Sequence, residues 1–142
     1  ESPMLERDMT VIDCDLPISA TGEVEILSFE PGEGFVVTDI HLRAPKGENY
    51  VPGTVTMHFR IEGHDGQMGY SQLITPSHSI QLPAGYVLAK FPAIVDGLYM
   101  FSRMVGSGTT RAKLFAVITA AYPVAGKVAH VSVTGYRDDL DA

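Results

Sequence analysis

Five histidines, His41, His58, His64, His78 and His130, are the side chains of this 142-residue chain with the widest chemical repertoire. Imidazole nitrogens hold a metal when two of them are fixed on one element at ligand spacing. No H-x-H and no H-x-x-x-H pair occurs. His58, Glu62, His64 and His78 have the count for a metal held inside a rolled sheet, but not the spacing. His58 falls on the wet side of a strand and His64 in the turn that follows. The expectation is surface histidines, with no metal and no cofactor.

Carboxylates are the next source of chemistry. Asp13 and Asp15 share one side of an extended segment, and Glu23 and Glu25 share one side of the next. If those two segments paired, four carboxylates would converge, as calcium binding or two-carboxylate glycoside chemistry requires. The plainer expectation is two solvated strand faces, because catalytic carboxylates need a cleft that moves their pKa values. Serine nucleophiles have less support. No G-x-S-x-G elbow is present, and Gly106-Ser107-Gly108 reads as a hairpin tip. The single cysteine, Cys14, excludes a disulfide within the chain and reads as a small apolar residue in a strand. No P-loop or dinucleotide fingerprint appears, so the chain reads as non-enzymatic.

The elements that carry these residues are strands. In Gly53 to Gly63, Val55, Met57, Phe59 and Ile61 alternate with Thr54, Thr56, His58, Arg60 and Glu62. Period two is the signature of a strand with one buried and one wet face. Weaker copies run over Met9–Leu16, Glu23–Phe29, Phe35–Ala44 (with Val36, Ile40 and Leu42 on one face), Tyr70–Thr75, Ser79–Leu82, Tyr86–Phe91, Leu98–Val105 and Val128–Tyr136. Arg111–Tyr122 is apolar on both sides, with Leu114, Ala116 and Ile118 against Phe115 and Val117. That suits a central strand covered twice, or one whose outer face meets a partner. Turn signals separate these segments, among them Pro31-Gly-Glu-Gly34, the 45–53 loop, a second loop at 63–69 and Pro83-Ala-Gly85. An all-β fold follows: a two-sheet antiparallel β-sandwich, jelly-roll-like, of about eight to ten strands. Residues 1–8 form an N-terminal arm, 9–136 one sandwich domain and 137–142 a short acidic tail.

Composition narrows the partners. A net charge of −7 and a pI near 5.0 argue against direct nucleic-acid binding, which needs clustered Lys and Arg. Apolar residues make up 45% and charged residues 19%, a balance that builds a core. No apolar run approaches the roughly 18–20 residues that span a bilayer as a helix, so no membrane is expected. Carbohydrate binding stays open as the alternative, on a tail or in a secreted protein. Tyr50, Tyr70, Tyr86 and Tyr99 lie in or beside loops where rings can stack on sugars, although the chain has no Trp.

Several strand and turn segments carry a family resemblance. Phe35-Val-Val-Thr-Asp-Ile40 after a Pro-Gly turn, Leu82-Pro-Ala-Gly-Tyr-Val87, Leu98–Phe101, and Val128–Tyr136 ending in Val133-Thr-Gly-Tyr136 resemble segments of small β-sandwich proteins from tailed-phage structural modules. The similarity covers residues 22–136 and rests on strand and turn signatures. It departs from the pattern in the loops at 45–53 and 63–69 and in the arm. The resemblance implies a capsid decoration (cement) or head-fibre protein on the outer capsid surface. Its partners would be major capsid protein and itself, as a homo-oligomer with a trimer favoured, and it implies no catalytic residues. The contact candidates that go with this reading are Met4 and Leu5 in the arm, Tyr50, Met68 and Tyr70 in loops, and Phe115 and Val117 on the doubly apolar strand.

Overall fold

The computed structural model describes residues 9–64, 67–91 and 103–139, the side chains of 64–72 excepted. Ten strands make up almost all of it: β1 Met9–Pro17, β2 Gly22–Phe29, β3 Gly34–Arg43, β4 Gly53–His64, β5 Gln67–Leu73, β6 His78–Leu82, β7 Val87–Phe91, β8 Arg103–Val105, β9 Ala112–Ala120 and β10 Val128–Arg137. Every pairing between them is antiparallel. The strand Leu98–Val105 expected from the sequence is described only from Arg103 on.

The order β1-β10-β3-β7 forms the first sheet, and β2-β9-β4, with β5 and β6 both on β4, forms the second. The short β8 pairs with the start of β3 and the end of β4 and joins the two. The first strand pairs with the last, the second with the next to last, and so inward. That nested pairing is what a long hairpin produces when it is rolled into a sandwich, and it makes the fold a jelly roll. It also separates β1 from β2. The four carboxylates Asp13, Asp15, Glu23 and Glu25 therefore lie on different sheets and do not converge.

The alternation read along β4 holds throughout: Val55, Met57, Phe59 and Ile61 are fully buried. Phe59 meets Phe91 of β7 edge-on at 5.0 Å, which ties the second sheet to the first across the core. Ala129, Val131 and Val133 of β10 and Leu114, Ala116 and Ile118 of β9 line the same interior.

Bulges, first in β3 and then in β2, shift the phase that simple alternation predicts. In β3, Asp39 pairs with Thr134 but Val37 pairs with Gly135, which leaves Thr38 as the extra residue. Phe35, Val37, Ile40 and Leu42 consequently face the core together, so Val37, not Val36, shares the inner side with Ile40. Thr38 Oγ1 donates to the Thr134 carbonyl at 3.1 Å and holds the bulge in place. Gly135 is obligatory opposite it, because a Cβ there would lie 2.1 Å from the Val36 carbonyl oxygen and 2.5 Å from the Phe35 ring. The second bulge, between Glu25 and Leu27 of β2, turns Leu27 inward. The expected long loop at 63–69 is absent. β4 runs on to His64 and β5 starts at Gln67, with Gly63 at φ 91° absorbing a register shift between them. Turn-forming residues (Gly, His, Asp, Gly) suggested a loop, but only 65–66 separate the strands.

Candidate interaction surfaces

The outer face of the second sheet is organised by Arg60. Its guanidinium stacks over the Phe115 ring, 4.2 Å from the centroid, because β4 and β9 place those two residues directly opposite each other. Nε and NH2 donate to the two carboxylate oxygens of Glu23 at 3.1 and 2.5 Å, and NH1 donates to Glu62 at 3.0 Å. The bidentate pair holds the Glu23 carboxyl below its usual range and raises Arg60. His58, beside them, is pushed down, first by burial and then by the Arg60 charge. Phe115 and Val117 are thus half-buried on this face, Phe115 under a guanidinium supplied by the chain itself.

The outer face of the first sheet carries one short chain of polar contacts through Arg43 and two His–Asp pairs. Asp13 sits opposite Ser132, which sits opposite His41; Asp15 sits opposite His130, which sits opposite Arg43. Ser132 Oγ donates to Asp13 at 2.5 Å and Arg43 NH2 donates to the same oxygen at 3.2 Å. His41 lies 3.0 Å from Asp39. His130 Nδ1 lies 2.8 Å from Asp15, but out of line for a hydrogen bond. Arg43 NH1 also donates to the Tyr86 hydroxyl at 2.6 Å, and its guanidinium carbon lies 5.6 Å from that ring's centroid. Arg43, Pro45, Lys46, Gly85, Tyr86 and His130 line an open groove of about 730 Å³ at this corner.

Among the described residues, β1 and β2 end the two sheets on one side, and they differ. β1 pairs with β10 in unbroken register from Met9 to Pro17, and Val11 is 60% exposed on its outer face. Cys14 packs against the core, and burial followed by the charges of Asp15 and Asp13 pushes its thiol up. It is a poor nucleophile there. β2 is interrupted by its bulge and carries Glu23 paired to Arg60 and Glu25 paired to Lys113 at 3.5 Å.

The contact candidates read from the sequence are not gathered into one place. Phe115 and Val117 share the outer face of β9. Tyr50 faces the opposite way: its hydroxyl donates to the Val128 carbonyl at 2.7 Å and its ring packs edge-on against Tyr122. Burial, then the charge of Glu48, pushes its phenol up to about 12. Met68 and Tyr70 belong to β5, where the side chains lie outside the described residues, and Met4 and Leu5 lie outside them altogether. The 137–142 tail is pinned where it is described. Asp138 N donates to the Gly34 carbonyl, and Asp139 Oδ1 accepts from Gly34 N at 2.8 Å and from Arg137. The Gly34 bond is the chief reason the Asp139 carboxyl lies below its usual range. Sequence reasoning missed the groove. Arg43, Tyr86 and His130 come from three strand ends, and no local spacing announces that β3 pairs with both β7 and β10.

Among the described residues, no group of three or more His, Cys, Asp and Glu stands close enough to hold a metal ion. None of the described residues forms a helix long and apolar enough to cross a membrane. No protein-family model and no curated protein matches the chain. Among solved structures, the chain is similar to one in the structure of infectious bursal disease virus, Gt strain. The TM-score is 0.42 and the identity 15%, over 93% of this chain and 32% of that one. The chain thus spans about a third of the length of the chain it matches.

Proposed function

We propose that this protein is a non-enzymatic structural component of a virion. It would be a decoration protein that binds the outer surface of assembled major capsid protein and stabilises the head. The observation that carries the reading is the β1 edge. This strand is nine residues long, is in continuous register with its only described partner strand, and exposes Val11 on its outer face. An edge of this kind is a template for strand addition by another chain. The resemblance of residues 22–136 to phage structural sandwiches supplies the context, and the jelly roll is an architecture that capsid proteins use. Self-association, as a trimer, would present three such edges to the capsid lattice.

Cosedimentation with expanded capsids of the encoding virus tests the reading, with light scattering on the free protein. Saturable binding by an oligomer is the expected result. A monomer that stays in the supernatant at every capsid concentration would contradict it.

A further inference from the structure

The geometry points to the groove beside Tyr86 as a binding site for an acidic saccharide, a sugar bearing a carboxylate. This inference is independent of the capsid reading. Among the described residues every Lys and Arg takes part in an ion pair except two, Lys46 and Lys90. In a chain of net charge −7, an unpaired cation marks a place where a negative charge can be received. One of the two belongs to the groove. Lys46 lines the groove, and Lys90 lies on β7, opposite His41 on the outer face.

The rest of the groove suits a sugar. Tyr86 is 64% exposed, the most exposed large hydrophobic side chain described. Its hydroxyl is fixed by Arg43, so the ring is held ready and not free to rotate away. A fixed, exposed ring gives the apolar CH face of a pyranose a stacking surface. Gly47 and Gly85, at φ 83° and 84°, stand with nothing within 4 Å of where a Cβ would be, which leaves bare peptide groups at the lip for hydroxyls. His130 turns Nδ1 toward Asp15, and its Nε2 makes no hydrogen bond among the described residues. A volume of about 730 Å³ falls within the range of small-molecule sites. In this arrangement the sugar ring lies on Tyr86, its carboxylate meets Lys46, and hydroxyls reach His130 and the glycine peptides. An acidic peptide would also meet Lys46, but it has no flat apolar face to lay on Tyr86.

The test is calorimetric titration and amide chemical-shift mapping with oligogalacturonate, oligoalginate and sialyllactose. Controls are the neutral counterparts of these sugars and a polyglutamate peptide. At least one acidic saccharide should bind and shift the amides of residues 44–47 and 85–87. Its neutral counterpart should bind at least about tenfold more weakly. Tyr86→Ala and Lys46→Glu should each cost about tenfold in affinity with the melting temperature unchanged, whereas Tyr86→Phe, which keeps the ring, should retain most of it. The inference is overturned if none of the saccharides binds. Binding that survives both Tyr86→Ala and Lys46→Glu also overturns it. Polyglutamate binding as tightly as the best saccharide would make the groove an acidic-peptide site instead.

Discussion

The two strands that end the sheets on one side of this sandwich solve the same problem in opposite ways. A sheet edge exposes a row of unpaired N–H and C=O groups, and natural proteins blunt it with bulges, charge or proline. β2 uses the first two devices. Its bulge between Glu25 and Leu27 breaks the row, and Glu23 and Glu25 are drawn onto the sheet face by Arg60 and Lys113. β1 is protected over only part of its length. Asp13 and Asp15 are tied to Arg43 and His130, and Pro17 ends the strand, but the register has no bulge and Val11 stands exposed. Among the described residues, one edge is covered by the chain's own side chains and the other exposes Val11. In the function proposed above, the stretch from Val11 on is where a partner strand would add.

The sharpest way to break this contrast is to remove the hub that guards the β2 side. Arg60→Ala strips the cover from Phe115 and leaves Glu23 and Glu62 without their guanidinium. Glu23 is about half exposed, so its pair counts for little and the lost stacking and stem packing for more. A loss of about 1–2 kcal/mol is expected, which lowers the melting temperature by roughly 3–8 °C in calorimetry. Concentration-dependent association of the variant should appear alongside. An unchanged melting curve would mean the hub guards nothing.

Val11→Lys attacks the other edge. The site is exposed, so stability should stay within about 0.5 kcal/mol. A lysine there blocks strand addition and forfeits burial of the valine, and capsid affinity should fall by about tenfold, read by cosedimentation. Equal affinity would show that docking uses another surface.

A pH effect separates the faces further. His58 titrates below its ordinary value of 6.5 because burial and Arg60 disfavour its charge. The unfolded chain therefore binds more protons than the folded one once the pH drops below that value. Stability is untouched above pH 6.5 and declines as pH falls through the unfolded pKa toward the folded one. Glu23, lowered by Arg60, adds stability above its ordinary 4.5 that is lost as pH falls through its folded pKa, at still lower pH. His58→Gln should flatten the upper part of the melting temperature profile and leave the lower part in place. An unaltered profile in the variant would remove His58 from the account.

The smallest effect is expected for Glu25→Ala, which deletes an exposed pair 3.5 Å long. Under about 1 kcal/mol should be lost. No new association should follow, since the bulge remains to protect the edge.

These contrasts were only partly legible in the sequence. β4 was clear because its period of two runs unbroken from Val55 to Ile61, and β10 likewise through Ala129, Val131 and Val133. Bulges were not, because an extra residue such as Thr38 looks like any other and reveals itself only through the partner it lacks. Gly63 misled because glycine is a turn former even where, at φ 91°, it sits within a strand. Which strands lie at an edge is a property of pairing across as many as 127 residues, as between Met9 and Tyr136, and no local pattern encodes it. For the same reason Phe115 read as an apolar patch, although Arg60, far away in sequence, covers it. Arg43, Tyr86 and His130 read as unrelated residues for that reason too.

Hydrogen exchange at the two edges tests the central claim most directly, measured on the free protein and on the protein bound to expanded capsids. The amides of β1 around Val11 should exchange readily in the free protein and slow markedly on the capsid, while those of β2 stay unchanged. Protection that appears on β2 instead, or on neither edge of a bound protein, would contradict the assignment of β1 as the docking edge.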